Sequence, residues 1–328
     1  MPLLLLLNED ELRQIVTIPE TIEVIKTAFV ASSEGRVNTP AAFSLSLPDA
    51  QAIVEAKGTF LTDAPYFAVK VNSNFSSNLA LNLPAQHGLF ALFDAATGFP
   101  AAIMVDNGYI KAMKAAAAGA IVADYLANER LERVAVIGSG TQAYMQIKAL
   151  TGVRTIDMVS VWGRTPVNVD GYARLIVEAH DLNVEIAPSI EAAVRNADLI
   201  ITATASRTPL IRADWLKPGV HITAVGSDEP TKQELYPAVL QVADVIIADN
   251  LEKCATAGEI HHGLAANLIT AADIQGELGY LIRNSLPGRT AVDQITVADL
   301  TGLDAHEATI ATLALEKAHF LGLGQPAE

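Results

Sequence analysis

The sequence contains a single cysteine, Cys254, so no disulfide can form within the chain and a reducing compartment is its expected setting. Basic residues are scarce too. Lys and Arg number 22 against 37 Asp and Glu, a formal net charge of −15, which argues against nucleic acid or an anionic membrane as partner. Long apolar runs are missing. Leu3-Leu-Leu-Leu-Leu7 is short, lacks a basic leader and meets Asn8-Glu-Asp-Glu11 at once, so it reads as a first strand rather than a signal peptide. No other segment reaches the length needed to cross a bilayer, and a cytoplasmic protein is expected. What is present, 328 residues with 51% apolar and 18% charged, describes a globular chain long enough for two domains.

Residues 133–143 read as a buried strand running into Gly138-x-Gly140-x-x-Ala143 and then a helix over 141–150. Gly138 permits the tight turn, Gly140 lets backbone approach a pyrophosphate, and Ala143 lets the helix pack closely on the sheet. The free N–H groups and positive dipole end of that helix would face the pyrophosphate. Ser139, Thr141 and Gln142 complete the turn, so the motif predicts a dinucleotide-binding site.

Downstream, strand and helix patterns alternate: strands at 158–162, 199–202, 221–226 and 245–249, helices at 172–180, 192–197 and about 235–240. That is the signature of a parallel sheet with crossover helices. The first hundred residues differ, with strands at 52–57, 67–71 and 88–93 between Asn, Pro and Gly turns. A closing helix from about residue 307 to 323 is expected to return to that first part. The expectation is α/β: a Rossmann-type doubly wound parallel sheet over 115–303, and a smaller α+β domain, mainly antiparallel, from 1–114 with 304–328.

The second nucleotide-domain strand ends Val161-Trp-Gly-Arg-Thr165, where a site preferring NAD would present an acid to the ribose. None is there. Arg164 beside Thr165 can hold a 2′-phosphate, so NADP(H) is favoured over NAD(H); the alternative is a solvated arginine. Thr204, Val225 and Gly226 complete the expected cofactor set. Lys70 lies on the strand face opposite Val69 and Val71, as either a snorkelling surface group or a buried functional one. Asp228 follows a strand's carboxyl end, the ligand edge of an α/β sheet, or else caps a helix beginning near Pro230.

Several segments together carry a family resemblance: Val69-Lys-Val71, Gly88-Leu-Phe-Ala-Leu-Phe-Asp-Ala-Ala-Thr-Gly98, Asp106-Asn-Gly-Tyr109, Ala115-Ala-Ala-Ala-Gly-Ala120, the Gly-rich turn, Val225-Gly-Ser-Asp228 and Gly258-Glu-Ile-His-His-Gly263. In this order the chain resembles the ornithine cyclodeaminase/μ-crystallin family over nearly its whole length, and looks closest to the members found in ectoine-utilisation clusters. The resemblance implies a nicotinamide-dependent enzyme acting on imines, oxo acids or amino acids, and a homodimer joined through the first domain. It also places Lys70 on the lysine that contacts the substrate, and Asp228 on the acid that stabilises an iminium or exchanges a proton with the amine. Lys57 and His87 join the substrate-binding set, His87 either lining the pocket or satisfying loop carbonyls.

Two departures from the family pattern stand out. Where the family commonly has arginine after the Pro40 segment, this chain has Ala41-Ala-Phe-Ser-Leu45, with Ser44 as nearest counterpart; where it writes Arg-Thr-Ala-Ala, this chain has Lys114-Ala-Ala-Ala117, with Lys111 a turn earlier. Lysine keeps the charge but loses the planar fork, and removing an Arg–carboxylate pair costs roughly 2–5 kcal/mol when the partner is desolvated. The substrate's acid is then met by Lys111 and Lys114, or is absent; alternatively both lysines are merely solvated. His261-His262 has neither a third ligand nor metal-site spacing, so no metal is expected, and Cys254 is expected to be packed. The reading is an NAD(P)H-dependent oxidoreductase acting on C=N or C=O of a small substrate. Its alternatives are cyclodeamination without net redox change and an NADPH-dependent small-molecule binding protein of μ-crystallin type.

Overall fold

The computed structural model describes residues 4–81, 83 and 86–327. By its internal contacts the chain divides into two compact units, Met1–Lys114 with Asp304–Glu328, and Ala115–Leu303. Among the described residues no helix is long and apolar enough to cross a membrane.

The second unit is built on parallel strands in the order Asn183–Ile186, Met158–Trp162, Val134–Ile137, Leu199–Thr202, His221–Ala224, Thr296–Asp299, Val245–Ala248 and Gly276–Glu277. Its six inner strands are buried at odd and even positions alike because both faces are covered. One core contains Val134, Val136, Val159, Val161, Leu199 and Ile201; the other contains Ala135, Ile137, Ile200, Ile222, Ile246 and Val297. The chain leaves Val134–Ile137 toward Met158–Trp162 on one side and resumes at Leu199–Thr202 on the other. That reversal creates a switch point beside Gly138, where open α/β sheets bind ligands.

The helix Tyr109–Leu126 carries the chain from the first unit into the second. Its small residues serve packing: Gln146 Nε2 donates to Ala115 O at 2.7 Å, and a Cβ on Gly119 would strike the Gln146 amide. The Gly-rich turn's helix, Thr141–Leu150, is thereby seated against it. Two local expectations need correction. Residues 235–240 supply only the short helix Ala238–Gln241, because Leu235 forms an isolated bridge with Ile211. The wholly buried strand Thr296–Asp299, not foreseen, enters between His221–Ala224 and Val245–Ala248.

In the first unit a sheet runs in the order Gln325–Ala327, Leu4–Asn8, Pro100–Val105, Gln86–Asp94, Tyr66–Phe75, Ala52–Leu61 and Val37–Asn38, with Phe43–Leu47 also paired to Ala52–Leu61. All pairs are antiparallel except Leu4–Asn8 with Pro100–Val105. The three expected strands run longer than foreseen. The register puts Leu7, Met104, Phe90, Lys70 and Lys57 on one face. Leu7, Met104 and Phe90 are buried there, and the closing helix, Asp304–Leu321, packs on this unit's helix Ile18–Ser33 and on its central strands. The opposite face is apolar and open, with Leu6, Phe43, Leu45 and Val105 exposed and Val69, Val71, Leu89 and Ile103 half-buried.

Candidate active site

Gly138 has φ +125°, and a Cβ there would lie 2.5 Å from Ala203 O, so only glycine fits the turn. Its N–H donates to Trp162 O at 2.8 Å. Gly140 precedes the helix Thr141–Leu150 as a cap without a side-chain hydrogen bond, and a Cβ on it would meet nothing within 4 Å. Open space therefore fronts the N–H groups that a helix start leaves unpaired. Gln142 Oε1, in the helix's first turn, is buried without a hydrogen-bond partner among the described residues. A Cβ on Gly163 would sit 2.9 Å from Ser139 Oγ, so the loop after the second strand touches the turn. The next residues, Arg164 and Thr165, are exposed; Arg164 makes no ion pair among the described residues, and Thr165 precedes the helix Pro166–His180 without a side-chain capping bond. An open cradle, an orphaned acceptor and an unspent guanidinium together fit a dinucleotide.

Buried Glu234 ties the neighbouring loops together, accepting from Thr204 N at 2.6 Å and Gly226 N at 2.9 Å. Val225 N donates to Thr202 O at 3.0 Å. A Cβ on Gly226 would strike Thr204 O and the Glu234 carboxylate. Glu234 is itself held at its own N–H by Glu259, at 2.7 Å, whose carboxyl burial pushes well above the usual range. Neither acid was singled out from sequence, although Glu259 lies in the Gly258–Gly263 motif.

Asp228 lies beyond the strand His221–Ala224, partly exposed, with Lys232 Nζ 2.6 Å from its Oδ1. No helix begins near Pro230; residues 229–231 bend and turn, which removes the N-cap reading. Lys232 O accepts from Ser227 Oγ at 2.7 Å and lies 2.7 Å from His262 Nε2. A carbonyl only accepts, so that nitrogen carries a proton. His261 Nδ1 lies 3.3 Å from Ala255 O. Among the described residues no group of three or more His, Cys, Asp or Glu side chains is placed to hold a metal ion. Cys254 is buried, and its thiol donates to Asp249 Oδ1 at 3.3 Å.

In the first unit the Lys70 side chain is mostly enclosed, 15% exposed, rather than snorkelling. Its Nζ donates to both carboxylate oxygens of Glu307, at 2.7 and 2.8 Å, and lies 5.3 Å from the centre of the Phe90 ring. Lys114 Nζ reaches Glu307 Oε1 at 2.8 Å. The Glu307 side chain is only 3% exposed. Burial pushes its carboxyl up, but the two ammonium groups outweigh this and hold it at about 2; burial pulls the Lys70 ammonium down. Sequence reasoning missed Glu307, whose one signal is a carboxylate among alanines in a helix with an apolar stripe.

The other expected substrate residues are scattered. Lys57 pairs in register with Lys70 and lies 3.9 Å from Asp304 Oδ2. Lys111 is exposed. Ser44 is exposed on the outer strand Phe43–Leu47, opposite Glu55, and does not join the lysine cluster. His87 pairs with Ser73, which puts it on the opposite sheet face from Lys70; Pro84 and Ala85, in the turn expected before it, lie outside the described residues.

The fold and these groups define a member of a known class: residues 4–320 match the ornithine cyclodeaminase/mu-crystallin family, and the chain belongs to it. Three solved structures illustrate the likeness. An archaeal alanine dehydrogenase dimer with bound NAD is 28% identical, with TM-score 0.91 and coverage of 99% of each chain. The Δ1-pyrroline-2-carboxylate reductase of Thermococcus litoralis, in complex with NADH and L-proline, is 27% identical with TM-score 0.91, over 98% of this chain and 100% of that one. The iminosuccinate reductase of Paracoccus denitrificans, in complex with NAD+, is 27% identical with TM-score 0.90, over 99% of each chain. These matches extend over both the parallel Rossmann-type sheet and the smaller α+β unit.

Proposed function

We propose that this protein is a nicotinamide-dependent oxidoreductase acting on the C=N bond of a small imine, formed in a ring or from a carbonyl and ammonia, or running the reverse oxidation. The carrying observation is the open cradle at Gly138 and Gly140 at the switch point of the parallel sheet. The three relatives support the bond type: two are reductases of imino acids and the third a dehydrogenase of an amino acid.

Bound in the cradle, the nicotinamide would supply the hydride. The helix Thr141–Leu150 would present its first N–H groups to the pyrophosphate, and Gln142 Oε1 would gain a donor. Arg164 and Thr165, with no acid beside them, favour the 2′-phosphate of NADP(H), although the related structures carry NAD(H). Lys70 is the cation that orients the substrate's acidic or carbonyl oxygen; its desolvation strengthens that interaction. Asp228 is the acid that stabilises positive charge on nitrogen or exchanges its proton. The open apolar sheet face, with Phe43, Leu45 and Val105 exposed, suits a second copy of the chain, so the active form is read as a homodimer.

The test is a spectrophotometric assay of NADPH and NADH with cyclic imines and with oxo acids plus ammonia. Net oxidation of reduced cofactor is expected, abolished in Lys70→Ala and strongly reduced in Asp228→Ala while cofactor binding persists. Conversion of ornithine with no net change in cofactor would replace this reading with cyclodeamination. Cofactor binding without turnover of any substrate would replace it with a binding protein.

A further inference from the structure

The Lys70–Glu307–Lys114 cluster does more than hold two side chains in place. Two ammonium groups meet one carboxylate, all three poorly exposed, so the cluster carries one net positive charge in a poorly hydrated place. Asp106 and Lys111 act on it with opposite signs. Asp106, buried nearby, has its Oδ2 bonded by Ile110 N at 2.9 Å and faces the N-terminus of the helix Tyr109–Leu126, which answers its charge. Exposed Lys111 stands on the same helix, and Lys57 is 3.9 Å from Asp304, a second near-balanced pair.

Glu307 is also unusually placed for an ordinary counter-ion. It sits in the first turn of the closing helix Asp304–Leu321, so helix and carboxylate move together. Its Oε1 is shared by Lys70 and Lys114, and its Oε2 also receives Lys70. Removing it would take away the carboxylate that the two ammonium groups share.

We propose that Glu307 is a positioning and specificity-determining residue: by bridging Lys70 and Lys114 it fixes the Lys70 ammonium and sets the site's charge to accept one carboxylate, not two and not none. This rests on the reading of Lys70 as the substrate-orienting cation. The cluster also recasts the exchange of the family's arginine for Lys114. A guanidinium fork would grip a substrate carboxylate in two places, whereas the single ammonium of Lys114 is engaged by Glu307 and acts as a charge.

Two variants move the charge in opposite directions, Glu307→Gln to plus two and Lys114→Met to zero. Calorimetry on the cofactor-loaded protein would measure affinity for 2-oxobutyrate, 2-oxoglutarate and uncharged 2-oxobutyramide. Glu307→Gln should raise the preference for 2-oxoglutarate over 2-oxobutyrate about tenfold, and Lys114→Met should lower that for 2-oxobutyrate over its amide about tenfold. Nuclear magnetic resonance of 13C-labelled lysine supplies a readout independent of activity: the Lys70 titration should fall by roughly one unit or more in Glu307→Gln and rise in Lys114→Met. A merely structural Glu307 would change stability and leave these opposed shifts undone. Unchanged preferences and unchanged titration in folded variants would overturn the proposal. Should Glu307→Gln fail to fold, Lys114→Met alone decides it. Opposed shifts in the two variants, together with a wild-type protein that turns over no imine, would remove the C=N reading and retain the role of Glu307.

Discussion

Lys232 Nζ lies 2.6 Å from Asp228 Oδ1 across a turn of four residues, and its carbonyl is gripped from two sides, by Ser227 and by His262. The backbone holding the cation is thus fixed, and the cation fixes the carboxylate. Asp228 and its immediate partners therefore form a braced unit rather than a free side chain on a loop.

Asp228→Asn removes the charge that would face a developing iminium, and we expect turnover to fall on the order of a hundredfold. Lys232→Met keeps the carboxylate but frees its rotamers, and the fall should be nearer tenfold. Steady-state kinetics with cofactor dissociation constants checks both: equal activity in Lys232→Met and wild type would show that the brace has no catalytic consequence.

Arg164, which makes no ion pair among the described residues, stands one residue beyond Gly163, which abuts Ser139 of the Gly-rich turn. A guanidinium bound to a 2′-phosphate is worth about 1.5–3 kcal/mol as a charge-assisted hydrogen bond. Arg164→Ala should thus weaken NADPH by about ten- to a hundredfold and NADH by little. Fluorescence titration of each cofactor measures it, and equal losses for both would remove the argument for the phosphate.

How far these features could be read from residue order depends on the distance over which they form. The Gly138 turn, its helix and Arg164 depend on neighbours, so spacing alone exposes them. Glu307 meets Lys70 across 237 positions, and no local pattern announces such a pair. The role of His87 needed strand register, because its sheet face follows from its pairing with Ser73. Asp228 looked like a helix cap only because Pro230 resembles a helix start, whereas Lys232 and Glu234 engage the loop instead. The strand Thr296–Asp299 spans four residues, too few for its period to stand out.

Asp299 offers a pH-dependent check on the buried acids around the ligand edge. Its carboxyl is pushed up to about 7, chiefly by burial, with the charge of Asp249 adding and the Ile260 N–H opposing; Glu259 and the Cys254 thiol face it as well. The folded value lies above the unfolded one, so the stabilisation is complete below about pH 4 and is lost as pH rises through 7. That loss is on the order of 4 kcal/mol. Asp299→Asn should flatten the decline in urea stability between about pH 4 and pH 7, with Asp249 and Glu259 sustaining part of it; an unaltered decline would assign it elsewhere.

Gly138→Ala tests the cradle itself. At φ +125° and 2.5 Å from Ala203 O, an added methyl must either displace the loop after Leu199–Thr202 or twist the turn. Backbone strain of this kind costs about 1–3 kcal/mol, and the displaced turn would no longer present the N–H groups of Thr141–Leu150 to a pyrophosphate. We expect a lowered melting temperature together with at least a tenfold loss of affinity for both NADPH and NADH. Gly140→Ala, whose methyl would enter open space, should leave the apo-protein's stability nearly unchanged and weaken cofactor alone. Calorimetric melting and cofactor titration on the two variants separate these outcomes. Wild-type cofactor affinity in Gly140→Ala would mean that the space before that helix is not where the pyrophosphate sits.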